Sequence, residues 1–250
     1  MNLMISIILS LLLGLIAYIK RALTIPALLL AVSFSIIISY FGGLTSFIIL
    51  VVVFLGSIIT KIFKKEKKKQ SKNIIQIICN VGIPTLSIII YGLTKNNIYL
   101  LIYASVMSES LADTLASDIG KLSKKEPVNI LTWKRSKKGL SGNISMLGLF
   151  SSLIGAILIG MIYYIGLEDN LISFIIIVLS GFLGSITDSV LGASIQVKYR
   201  CLKCQEIIES KIHCQTPTIW HKGIKIINNN VINFLANLII FLVLLLILIK

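Results

Sequence analysis

The stretch Met107–Gly120 reads MSESLADTLASDIG, and its reading decides what kind of bundle the chain can form. Glu109, Asp113 and Asp118 lie in or at the end of an otherwise lipid-compatible segment. Carboxylates are costly there and face a bundle interior or a water-filled cavity. A helix puts Glu109, Asp113 and Ser117 on one face, four residues apart each time. At roughly 100° per residue, Asp118 falls about 180° from Glu109, which assigns it to the helix mouth.

Working outward, the composition sets the solvent of this helix. Of 250 residues, 56% are hydrophobic and 14% charged, with a mean hydropathy of +0.95. That is far from an ordinary soluble domain and implies a multi-pass membrane protein. The net charge of +14 comes in short blocks between apolar runs, the pattern of loops on one side of a bilayer and not of a nucleic-acid-binding surface. The four cysteines are too few and too clustered for a disulfide scaffold and suggest a reduced compartment. In the N-terminal MNLMISIILSLLLGLIAYIKR the positive charges follow the apolar run, the reverse of a signal peptide, so this stretch is expected to be a span.

Apolar runs of about the length that crosses a bilayer fall at 2–19, 23–41, 44–63, 74–93, 97–117, 143–166, 171–195 and 230–249. The expected fold is an all-α polytopic membrane helix bundle of about eight transmembrane helices, forming a single integral membrane domain over 1–250. The fifth and seventh runs are interrupted by acids and small polar residues and belong inside the bundle. Lys and Arg number two, seven, seven and six in the first, third, fifth and seventh loops, 22 of the 24 in the chain. The intervening loops hold only Lys95, together with Glu168 and Asp169. By the positive-inside rule the basic loops are cytoplasmic and both termini lie outside the cell membrane. Asp113, Asp118 and Asp188 then sit at the cytoplasmic ends of their spans, facing the basic loops. KIFKKEKKKQSK at 61–72 reads as a topology anchor against anionic lipid. Pro84, in the fourth run with Asn80 and Gly82, is expected to kink its helix.

LADTLAS at 111–117 echoes ITDSVLG at 186–192, each an Asp followed by a hydroxyl and then a basic loop. The segments 97–166 and 171–249 therefore read as candidate repeated hairpins running in the same direction. Gly181, Gly184, Ser185, Asp188, Gly192 and Gln196 share one helical face. Close packing through small residues explains the glycines. It leaves Asp188 needing a partner or a cation.

Carboxylates beside a basic loop suggest Mg²⁺ holding a polyphosphate, because Mg²⁺ uses one or two carboxylates plus phosphate oxygens. The metal set expected from this reading is Glu109, Asp113, Asp118 and Asp188. The loop WKRSKKGLSGNIS brings Lys134, Arg135, Lys137 and Lys138 as charge. Its Gly139 and Gly142, flanking Ser141 and followed by Asn143, let backbone amides approach phosphate. The spacing is not that of a Walker motif. In the cytoplasmic loop 197–229, Cys201, Cys204, His213 and Cys214 could complete a tetrahedral structural zinc site, or pack as reduced thiols. Cys79 and His221 have no assigned role. Transfer chemistry on a lipid phosphate needs positioning and charge neutralisation above all, which favours the acids as metal ligands over bases.

Three segments taken together resemble the multi-pass membrane family that includes plant phytyl-phosphate kinase: Glu109–Gly120, KKGLSGNIS at Lys137–Ser145, and Gly184–Gln196. The spacing of Asn229 and Asn233 before the last span is similar too. The resemblance implies phosphoryl transfer from a nucleoside triphosphate, CTP by preference, to an isoprenoid monophosphate, giving the diphosphate. It implies catalytic roles for Glu109, Asp113 and Asp188. Nucleotide and phosphate contacts are implied for the matching positions Ser117, Gly139, Gly142, Ser189, Gln196, Asn229 and Asn233, and the reading of the basic loop adds Lys137, Lys138, Ser141 and Asn143 to them. Relatives carry an acid in the last Asn cluster, whereas 228–230 here are all Asn. The Cys and His loop is absent from the plant enzyme, so zinc is not part of the shared chemistry.

Two other readings fit the same residues. A cytidylyltransferase or lipid-alcohol kinase would use the same metal and nucleotide apparatus. A transporter would fit broken spans and a parallel repeat, although the acids lie near one face and not at the midplane.

Overall fold

The computed structural model describes residues 3–20, 22–63, 71–167 and 170–248. Most of the lysine anchor, together with Glu168 and Asp169, lies outside them. The apolar runs form helices α1 (Leu3–Ile19), α2 (Ile25–Phe63), α3 (Ile74–Thr94), α4 (Ile98–Gly120), α5 (Met146–Gly166), α6 (Leu171–Ser194) and α7 (Asn229–Leu248). Straight, the 39 residues of α2 would extend ~58 Å. Yet Lys72 meets the chain at both ends of α2: Thr24 N donates to Lys72 O at 3.0 Å, and Lys72 Nζ donates to Ser57 Oγ at 3.1 Å. The break is Gly43, at φ 74° and ψ −167°, a conformation essentially closed to residues with a Cβ. The helix folds back there, and its halves 25–42 and 44–63 lie antiparallel.

By length and apolarity, α2, α3, α5, α6 and α7 are five helices able to cross a membrane. The 17 residues of α1 make a shorter apolar helix, and serines and acids take α4 out of that set. The molecule is thus a mostly helical membrane bundle. α3 runs through Pro84 as one helix.

Burial explains how α4 tolerates its acids. It packs against α2, α3, α5, α6 and α7, and every residue from Leu100 to Glu109 is buried. Glycines on its neighbours set the close approach. A Cβ on Gly148 of α5 would lie 2.9 Å from Ala116 O, and one on Gly184 of α6 would lie 2.6 Å from Glu109 Cγ. Polar side chains start the helices. Asn73 and Gln76 form a capping box on α3, Ser145 caps α5 and Asn170 caps α6. Asn228 accepts from the amides of Asn230 and Val231 at the start of α7. These contacts satisfy helix N–H groups that have no partner within the helix.

The all-α expectation needs correction in the connections. Between α4 and α5, β1 (Val128–Asn129) pairs antiparallel with β2 (Asn143–Ile144), so α5 begins at Met146 and not at 143. Between α6 and α7, β3 (Lys198–Cys201), β4 (Ile207–Ile208), β5 (Ile212–His213) and β6 (Thr216–Lys222) form a four-stranded antiparallel sheet in the order β4-β3-β6-β5. Strands of two to seven residues in polar loops give little periodic signal. Both connections emerge at the same end of the bundle, where Gly120 O accepts from Ser145 Oγ and Asn229 reaches Ser141.

Candidate functional site

A cavity of about 310 Å³ opens at that end, between the last turns of α4 and α6, the first residues of α5 and α7, and the two connections. Asp113 enters it from α4 and Asp188 from α6. Asp113 is left with no hydrogen-bonding partner among the described residues. Asp188 is 6% exposed. With the Asn233 amide turned so that its nitrogen faces the surrounding acceptors, it donates to Asp188 Oδ2 at 3.3 Å and to Asn229 O at 2.7 Å. Asp118 lies at the rim and accepts from Thr60 Oγ1 of α2 at 2.7 Å. Glu109, on the same helical face as Asp113, is one turn deeper, buried against Gly184. It does not line the cavity.

The wall opposite the acids is the glycine loop. Gly139 and Gly142 have φ of 89° and 83°, which favours glycine. At Gly142 the approach is tight as well, because an added Cβ would lie 2.4 Å from Ala193 Cβ at the end of α6. Asn143 shapes the loop from within, donating to Ser136 Oγ at 2.9 Å and Lys137 O at 2.8 Å. Two residues that sequence reasoning passed over hold Ser141 from outside. Glu209 Oε1 accepts from Ser141 N at 2.6 Å, and buried Lys198 donates through Nζ to Ser141 O at 2.7 Å. Burial first, then nearby Lys222, pull the Lys198 ammonium below its usual range, with Glu209 opposing.

Of the nucleotide and phosphate residues expected from sequence, Ser117, Lys138, Gly139, Ser141, Gly142, Asn143, Ser189 and Asn229 line this cavity. Three do not. Lys137 points away and pairs with Glu206 at 2.6 Å, and Gln196 is 2% exposed beneath the loop. Asn233 stands behind Asp188 and Asn229. Lys121, Ser185 and Glu209 line the cavity in addition. Lys121 follows directly on the acidic motif, and that adjacency is the signal that could have found it. Glu209 and Lys198 lie in a polar loop, where a charge is ordinary and gives no sign of its role.

The cavity fits a divalent cation by its charge. Asp113, Asp118, Asp188 and Glu209 face it against Lys121 and Lys138, so a polyphosphate can enter only with counter-charge. The acids do not close a cage alone. Among the described residues, the group of three or more Cys, His, Asp or Glu with ligand atoms within 4.8 Å of one another is Cys201, Cys204, His213 and Cys214. Of the four carboxylates expected to hold a metal, Asp113, Asp118 and Asp188 line the cavity and Glu109 does not, being buried against Gly184; Asp118 also accepts from Thr60.

The cysteine and histidine quartet occupies two turns of the four-stranded sheet. His213 Nδ1 lies 3.4 Å from Cys204 Sγ and 3.3 Å from Cys214 Sγ. The backbone amide of Cys204 and the imidazole of His213 hold the Cys201 thiol down to about 6. Burial and then Cys204 push the Cys214 thiol up to about 11.

Residues 8–241 match the family described as Integral membrane protein DUF92. Protein PGR of Arabidopsis thaliana is 26% identical over 223 residues, covering 75% of this chain and 76% of its own length. An uncharacterized membrane protein of Methanocaldococcus jannaschii is 32% identical over 174 residues, covering 65% of this chain and 70% of its own. No solved structure matches the chain. With the match spanning nearly all of its length, the chain belongs to the DUF92 family of integral membrane proteins.

Proposed function

We propose that the chain is a transferase moving the terminal phosphoryl group of a nucleoside triphosphate, CTP by preference, to an isoprenoid monophosphate in the membrane. The observation that carries this reading is Asp113 and Asp188 facing a glycine loop across one cavity at the end of a membrane bundle. Mg²⁺, when bound, neutralises phosphate charge and orients the transferred group. Asp113 and Asp188 would hold it, each from its own helix. Lys121 and Lys138 add positive charge at the cavity wall, and the backbone of Gly139–Gly142 lies against the phosphates. An oxygen of the acceptor monophosphate forms a bond to the γ-phosphorus as the bond to the β,γ-bridging oxygen breaks, giving the lipid diphosphate and nucleoside diphosphate. A monophosphate oxygen is already anionic at neutral pH, so no side chain need take a proton from it. Positioning and charge are what the protein supplies.

On the same reading the cavity lies on the cytoplasmic side. The two halves of α2 and the other six helices would make eight crossings, with both termini outside. The hairpins α4–α5 and α6–α7, each an acid-bearing helix followed by a strand-bearing basic connection, would be copies of one ancestral unit. Incubating the purified protein with Mg²⁺, CTP or ATP, and phytyl or geranylgeranyl monophosphate tests the activity. A lipid diphosphate is the expected product. A CDP-lipid would assign the site to cytidylyl transfer, and uptake into proteoliposomes without chemical change would make the protein a carrier.

A further inference from the structure

Cys201, Cys204, His213 and Cys214 lie outside the cavity and take no part in the proposed transfer. We infer that they bind one structural zinc ion, and that this ion fixes the sheet β3–β6 as the clamp that sets the glycine loop.

The donor set comes first. Three sulfurs and one imidazole nitrogen, all within 4.8 Å of one another, are already close to the ~3.8 Å edge of a zinc-thiolate tetrahedron built with bonds of ~2.3 Å. Cys201 closes β3 and Cys204 stands in the turn that follows, where Gln205 N donates to Cys201 O at 3.0 Å. His213 closes β5, and Cys214 stands in the turn into β6. Both turns put non-glycine residues in the left-handed region: Gln205 at φ 61°, Cys214 at φ 49° and Gln215 at φ 60°. Such conformations persist where the surroundings fix them, and a shared ion does that for both turns at once. A closed set of four N and S ligands is the pattern of structural zinc, with no position left for chemistry.

The sheet also lacks a core of its own. Ile212, Ile219 and Trp220 are 67%, 48% and 51% exposed, and the buried strand residues are Lys198, Tyr199 and Cys201 of β3, with none in β4, β5 or β6. A module this small and this exposed is ordinarily held by a metal or disulfides, and the cysteines here are free.

Its grip on the cavity is direct. Glu209 lies four residues before His213, and Lys198 three before Cys201. Between them they take both the N–H and the C=O of Ser141. Glu206, two residues after Cys204, pairs with Lys137 at the other end of the loop. The quartet thus anchors three contacts that hold residues 137–141.

Metal analysis of the protein purified without added chelator should give about one zinc per chain. Cobalt put in its place should show thiolate charge-transfer and tetrahedral ligand-field bands. Cys204→Ser and His213→Ala should each lose most of the metal. Hydrogen exchange on the wild-type chain, stripped of metal and then reloaded, does not depend on any variant folding. Stripping should speed exchange by about tenfold or more in 198–222 and also in 137–143, and reloading should restore both. Absence of tight metal binding in the reduced protein would overturn the site. Faster exchange confined to 198–222 would overturn the clamp. Neither readout requires turnover, so either failure is distinguishable from failure of the proposed transfer.

Discussion

Asp113 and Asp188 come from different helices and meet in one cavity, so each should be needed and neither replaceable by the other. Asp113→Asn and Asp188→Asn are each expected to lower turnover by about 100-fold or more. Glu109→Gln, one turn deeper and walled off by Gly184, should stay within about tenfold of the wild type. Equal losses at all three positions would mean that Glu109 reaches the metal after all. Helical spacing puts Glu109 and Asp113 on one face, but periodicity does not show which turn a crossing glycine closes. The Glu209 carboxylate accepts from the Ser141 amide at 2.6 Å and so holds the glycine loop in place. Glu209→Ala should therefore raise the nucleotide KM by about threefold to tenfold. A lowered KM would show that Glu209 competes with phosphate for that amide and does not shape the loop. Asp113 and Asp188 were legible in sequence because a carboxylate inside an apolar run is expensive. Glu209 and Lys198 were not, because a charge in a polar loop costs nothing in sequence terms.

Among the elements, α2 shows what apolar pattern alone conveys. Runs at 23–41 and 44–63 are separated by Gly42 and Gly43, and the reversal falls at Gly43. The space around it is open, with nothing within 4 Å of the point a Cβ would occupy, so any effect of substitution is purely one of backbone. Gly43→Ala is expected to destabilise the fold by about 1–3 kcal/mol, read as a lower thermal midpoint in detergent. An unchanged midpoint would contradict the fold-back geometry. The places and order of the apolar helices were readable because bilayer thickness dictates run length. The eight expected runs nevertheless form seven helices among the described residues, the second and third joined in α2. The strands were not, because two-residue pairings such as Val128 with Ile144 are set by the tertiary placement of the helices they join. Asn228, Asn229 and Asn233 read as one cluster in sequence, yet they divide into a helix cap, a cavity wall and a support for Asp188.

For the whole molecule, the basic connections and the acids share one end of the bundle, and the proposed orientation puts that end in the cytoplasm. Single cysteines at Asn96 and Lys134, in a background lacking the native thiols that react, should divide cleanly. The first should label with an impermeant maleimide in intact cells and the second only after lysis. The opposite pattern would invert the topology without moving the site. The chemistry itself is decided by one measurement: purified protein given a lipid monophosphate and CTP labelled at either the α- or the γ-phosphate. Transfer of a phosphoryl group puts the γ label, and none of the α label, into a lipid diphosphate. Recovery of the α label in lipid, or of neither label, would contradict it.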